Sequence, residues 1–164
     1  MMFYLSDREV IVALEQALQR GARLRMLLDS NKHAFGREKD GTPNRPIDYE
    51  LNEVGIAVRW CNTLVAQCHA KMLLINNESG DNVITTGSAN FTRRNLMDFN
   101  LKTDGVVSAR SKDPVIIDSQ RYFDEAWENA AGRVYSLPIE RYKAPHWWQP
   151  LLYRFTEGSG ISAY

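Results

Sequence analysis

The sequence predicts an α/β fold, a mixed β-sheet flanked by helices, and three observations carry that reading. An apolar opening, an amphipathic helical run and a second apolar run follow one another within roughly thirty residues, which is a β-α-β unit and therefore a parallel strand pair. Farther on, two apolar runs flank the polar stretch Asn76-Asn77-Glu78-Ser79-Gly80-Asp81-Asn82, the pattern of an antiparallel hairpin. A late run with apolar residues at Val115, Ile116, Phe123, Ala126 and Trp127 has the spacing of a helix that covers one sheet face.

The 164 residues suffice for one domain with a normal core, since 44% are hydrophobic and 24% charged. Lys plus Arg and Asp plus Glu both number 20, so no global charge draws the chain to nucleic acid or to an anionic membrane, and binding has to be argued from a local site. Cys61 and Cys68 are too few for a disulfide scaffold and lack nearby partners for zinc, so both are expected to be reduced. No apolar run approaches a membrane span and the start lacks a secretion leader, so a cytoplasmic or membrane-peripheral placement is expected.

In order, residues 1–5 read as the tail of a strand, an opening that suggests the second half of a longer protein. Ser6 is placed as N-cap with Glu9 completing a capping box, and the helix runs over 7–20 with Gly21 just beyond it. Residues 23–28 make a buried strand. The polar stretch 29–46 reads as a long loop whose Lys32, His33, Arg37, Lys39 and Arg45 could wall an anionic group. A helix over 47–53 and a strand over 56–60 follow. A strand over 67–75 alternates at its start, which sets His69 and Lys71 on one face. After the turn come a strand over 83–86, a departure at 87–90, a helical turn over 92–96, a strand over 99–108 and a helix over 115–129 opened by Pro114. The aromatic stretch 133–164 reads as an extension packed on this domain or on a partner.

An imidazole and an ammonium two residues apart suit phosphoryl chemistry. A neutral His can attack phosphorus, and a Lys supplies fixed positive charge to the oxygens as the transition state forms. Ser88 and Asn90 add uncharged donors, and Gly87 permits close backbone approach.

These residues resemble the phospholipase D superfamily signature, H-x-K-x4-D followed by G-S-x-N: the chain reads His69-Ala70-Lys71 and Gly87-Ser88-Ala89-Asn90, then Phe91-Thr92. The best match is the C-terminal half of a bacterial two-motif member, and the resemblance runs from about residue 3 to 127. It implies a phospholipase D-like mixed sheet and a phosphodiesterase or phosphatidyltransferase. In the family, one His forms a phosphohistidine, a second His protonates the leaving alcohol, Lys, Ser and Asn hold the phosphate oxygens, and no metal or other cofactor takes part. The implied substrate is a phospholipid-like phosphodiester, with a homodimeric nuclease and a catalytically degenerate binding half as the alternatives.

Three features depart from the signature. At literal spacing its Asp falls on Asn76, with Asp81 the other candidate for that structural place. The acidic residue that in the family follows an Asn and orients the His is Lys102 in the register set by Asn100, while Asp98 or Asp104 would serve in a shifted register. The chain also holds a single His-x-Lys, because His33 is followed by Ala34-Phe35 and His146 by Trp147-Trp148. The second His must then come from another phospholipase D-like half, either the N-terminal region of a parent chain or a homodimer partner.

Overall fold

The computed structural model describes residues 1–30, 33–34 and 37–38 (by backbone), 41, 43–63, 68–78, 80–97, 101–142, 148–149, 151 and 153–155. In chain order the elements are α1 (Arg8–Gln19), β1 (Arg25–Leu28), β2 (His33–Ala34), β3 (Arg37–Glu38), α2 (Asn44–Glu53), β4 (Ala57–Cys61), β5 (Met72–Ile75), β6 (Asn82–Gly87), α3 (Arg93–Leu96), β7 (Asp104–Ala109), α4 (Pro114–Glu128) and β8 (Ser136–Pro138). β1 pairs parallel with β4, and β4 pairs antiparallel with β8. β5, β6 and β7 form an antiparallel meander, and β2 pairs with β3.

The opening residues join the two three-stranded sheets. Met1 and Met72 exchange backbone hydrogen bonds at 2.7 and 2.8 Å. Met2 N donates to Leu27 O, and Asp29 N to Met2 O, in a parallel bridge to β1. Farther along, Phe91 N donates to Tyr4 O, while Ser6 N and Asp7 N donate to Phe91 O. The segment 1–5 is therefore hydrogen-bonded to β1 on one side and to Met72 and Phe91 on the other, and the sheet reads β8-β4-β1-(1–5)-β5-β6-β7. Met2, Phe3, Tyr4 and Leu5 are all buried. With α1 crossing between segment 1–5 and β1, the parallel β-α-β unit is present as expected.

Asn44 pins this central segment. Its side chain, fully buried at the start of α2, accepts from Leu5 N at 2.9 Å and donates to Phe3 O and Asp29 O at 2.8 Å each. The main core gathers Leu5, Ile11, Leu28, Ile47, Leu51, Trp60, Ile139 and Tyr153 around it. The aromatic stretch thus contributes β8 and two core residues to this domain, and Tyr153 Oη donates to Ser6 O at 3.2 Å. Residues 143–147 and 156–164 lie outside the described residues.

Several expectations need correction. The N-cap of α1 is Asp7, one residue later than expected: its backbone is extended and its carboxylate accepts from Val10 N. The helix expected at 47–53 starts at Asn44, so the supposed loop shortens, and the Arg45 guanidinium lies 5.6 Å over the Tyr142 ring. Of the other basic residues expected to wall an anionic group, Lys32 and Lys39 lie outside the described residues. β5 starts at Met72, where Met1 pairs, so His69 and Lys71 precede the strand instead of alternating along it. The strand expected over 99–108 is β7, beginning at Asp104, while Phe99 and Asn100 lie outside the described residues. Cys61 and Cys68, expected to be reduced, form a disulfide: their Cα atoms stand 5.9 Å apart, within bridging range.

Replacing Asn44 by Ala removes hydrogen bonds from three buried backbone groups, and about 3 kcal/mol of stability should be lost. Asn76→Ala, which removes an exposed contact to Gln120, should change stability by less than about 0.5 kcal/mol. Urea unfolding midpoints decide; equal midpoints for the two variants would show that Asn44 does not pin the sheet.

Candidate active site

His69 stands in the unpaired stretch that enters β5. The disulfide ties its neighbour Cys68 to the end of β4, and Cys68 N donates to the buried Asp29 carboxylate at 3.2 Å. Its exposed imidazole leans on Phe3, ring centroids 4.7 Å apart. Lys71 is buried, 7% exposed, and its Nζ donates to His69 O at 2.9 Å. The same Nζ lies 3.2 Å from His69 Nδ1, 3.3 Å from Nε2 and 5.4 Å from the Phe3 ring centre.

An ammonium can donate to an imidazole nitrogen only where that nitrogen is unprotonated, so the contact selects the neutral ring. Burial, then the charges of Lys71 and Lys102, hold the His69 pKa below the ordinary 6.5. Burial and Lys102 also lower Lys71, against the opposing pull of Asp104. The result is a neutral imidazole inside a positive field, a state suited to attack on an anionic phosphorus centre.

The Gly87-Ser88-Ala89-Asn90 element leaves β6 beside the chain that enters β7. Ser88 N donates to Thr103 O at 3.0 Å, and Ser88 Oγ accepts from Thr103 N at 3.0 Å and donates to Thr103 O at 3.3 Å. Asp104 Oδ1 accepts from Ala89 N at 3.0 Å. The carboxylate fits only because residue 87 has no side chain: a Cβ there would lie 2.1 Å from Asp104 Oδ1 and 2.4 Å from Thr103 O. Asn90 Oδ1 accepts from Tyr4 N at 3.2 Å, which leaves its amide NH2 as the donor it can offer a ligand. Gly87 N donates to Lys71 O at 3.4 Å and links the element to the His69-Lys71 stretch.

The two candidates for the signature Asp lie elsewhere. Asn76 donates to Gln120 of α4 and lines an open groove of about 760 Å³ between the hairpin and α4, whose lining includes none of His69, Lys71, Ser88 or Asn90. Asp81 is exposed in the hairpin turn. The residue that holds this hairpin is Asn82, which sequence reasoning passed over: buried, it accepts from Asn77 N at 2.7 Å and donates to Ser111 Oγ at 3.0 Å. Asn100 lies outside the described residues. Thr103, also unremarked in the sequence, is the partner of Ser88; no local signal marks it, because the contact depends on strand pairing.

Two predictions follow from this geometry. Gly87→Ala should cost about 2 to 3 kcal/mol, because a Cβ meets backbone and carboxylate with no room to relax. Gly105→Ala meets nothing nearer than Thr86 O at 3.8 Å and should change stability by less than about 0.5 kcal/mol. Matching urea midpoints would contradict the close packing at 87. The His69 ring, followed by NMR, should titrate below pH 6.5 and move upward in Lys71→Ala; a midpoint at or above 6.5 that Lys71→Ala leaves in place would remove the electrostatic argument.

A family model described as "Cardiolipin synthase, PLD-like domain" matches residues 1–127. The chain is also similar to the crystal structure of a phospholipase D family member, Nuc from Salmonella typhimurium, with 19% identity and a TM-score of 0.54, covering 84% of this chain and 79% of that one. At that identity the likeness is one of fold. No curated protein matches the chain by sequence. The match over residues 1–127 takes in the strand that joins the sheets and both parts of the site, and the chain belongs to the family of phospholipase D-like domains.

Proposed function

We propose that the chain is one catalytic half of a phospholipase D-type phosphodiesterase. The observation that carries this reading is the contact of Lys71 Nζ with both nitrogens of a neutral His69, beside the pinned Ser88 and Asn90 donors. A phosphodiester enters with its free oxygens toward Lys71, Ser88 and the Asn90 amide, and takes over the ammonium that otherwise faces the imidazole. A His69 nitrogen then attacks phosphorus, and the bond to the leaving alcohol oxygen breaks as a second His gives that oxygen a proton. Water or another alcohol next attacks the phosphohistidine, loses its proton to the second His and restores neutral His69. Lys71 stabilises the charge on the oxygens in both steps.

The second His belongs to another phospholipase D-like half, since this sequence has one His-x-Lys. Val106 and Val107 on β7, an edge strand among the described residues, and Leu101 just before it are exposed apolar residues that suit such a neighbour. A phosphatidyl diester is the favoured substrate, in keeping with the description of the matching family model. His69→Ala should lower hydrolysis of bis(p-nitrophenyl) phosphate about 1,000-fold or more in the assembled two-half enzyme. An unchanged rate would refute the assignment of His69. Phosphatidylglycerol vesicles in the same assay test the lipid preference.

A further inference from the structure

We propose that Lys102 is the residue that gives this site its affinity for a phosphate oxyanion, and that it sets the net charge of the site to match a singly charged phosphodiester. The inference rests on the phosphodiesterase reading and deepens it, assigning an anion-binding role to a residue outside both parts of the signature.

Placement comes first. Thr103 bonds to Ser88 through both its N–H and its C=O, so residues 102–104 run along the Gly87-Ala89 backbone. Asp104, on one side of Thr103, reaches Ala89 N, and Lys102 is the neighbour on the other side. The charged groups that act on His69 are Lys71 and Lys102, and those that act on Lys71 are Lys102 and Asp104. Phe3 packs against His69 and Lys71 as an uncharged wall. Lys102 is exposed and, among the described residues, takes part in no ion pair.

Charge counting gives the second step. His69 is neutral, and Asp104 offsets Lys71, so without Lys102 the group carries no net charge and offers an anion little beyond neutral donors. With Lys102 it carries one positive charge, the complement of one phosphodiester. The Lys102 charge repels that of the buried Lys71, and an anion entering between the two replaces that repulsion with an attraction to each.

The test uses Lys102→Ala, Lys102→Glu and Lys102→Arg with inorganic phosphate as the probe, read through the His69 ring signals in NMR. The unmutated chain should bind phosphate about tenfold more tightly than Lys102→Ala, the loss that follows from removing about 1.4 kcal/mol of attraction. Lys102→Glu should bind more weakly still, and Lys102→Arg should retain most of the affinity. The His69 titration midpoint should rise in Lys102→Ala and rise further in Lys102→Glu, while the thermal midpoint of Lys102→Ala should not fall. Equal phosphate binding and an equal His69 midpoint across the series would overturn the inference. If the assembled enzyme cleaves the diester and Lys102→Glu does so with an unchanged KM, the inference fails while the phosphodiesterase reading stands. If phosphate binding follows the series but the assembled enzyme cleaves no diester, Lys102 keeps its anion-binding role and the reaction assignment fails.

Discussion

The constraint on which the rest of the structure depends is that the five opening residues, four of them buried, must find backbone partners along both of their edges. A buried N–H or C=O left unpaired costs about as much as a lost hydrogen bond or more, so an extended segment in the interior is stable only as an inner strand. Segment 1–5 meets that condition with contributions from regions far apart in sequence: β1 at Met2, Met72 at Met1, Phe91 at Tyr4 and the amide of Asn44 at Phe3 and Leu5. Each partner is thereby fixed relative to the others. Without the segment, β1-β4-β8 and β5-β6-β7 would be two small sheets with facing edges, and such edges are open to other pairings.

The same segment places the chemistry. Phe3 stands against His69 and under the Lys71 ammonium, and Tyr4 N holds the Asn90 side chain. A residue that reads as a phosphate donor is therefore also a structural one: Asn90 uses its oxygen for the fold and has its NH2 left for a ligand. Ser88 is similar, with a hydroxyl that accepts from one backbone group and donates weakly, at 3.3 Å, to another. Exchanging that longer bond for one to a phosphate oxygen costs little.

How much of this was legible in the sequence depends on the range of the signal. The family could be recognised from His69, Lys71 and the Gly87-Asn90 element because that signal lies in residue type and short spacing, and helices α1 and α4 could be placed because apolar periodicity is local. The extent of β5 differs from the expectation: polar and apolar types alternate in the sequence from 67 onward, but a ladder forms only where a partner exists, and β5 starts at Met72, the residue that pairs with Met1. Ser6 and Asp7 are equally good caps by type and both amides donate to Phe91 O, so the cap is decided by which side chain reaches the first turn, and that is the Asp7 carboxylate at Val10 N. The helix start at Asn44 was hidden inside a polar stretch because a buried polar residue looks like a loop residue until its three backbone partners are known. The disulfide was missed for the same reason: two cysteines seven apart say nothing about where the intervening chain goes.

The pattern of anchoring around the site separates groups that are fixed before a ligand arrives from one that is not. His69 is held through Cys68 and Phe3, Lys71 by the His69 carbonyl, Ser88 by Thr103 and Asn90 by Tyr4, so four regions of the chain fix four groups in advance. Groups fixed in advance lose little entropy on binding and can be aimed at charge that develops during reaction. Lys102 is the exception, a long exposed side chain next to this rigid cluster. A long, exposed cation suits the part of the task that anchored groups do poorly, meeting an anion at the solvent edge of the cluster. The division explains why the position is tolerable at all: a second positive charge fixed against Lys71 would strain the free site, whereas an exposed charge on a long stem meets that repulsion in solvent, where it is screened, until a phosphate stands between them.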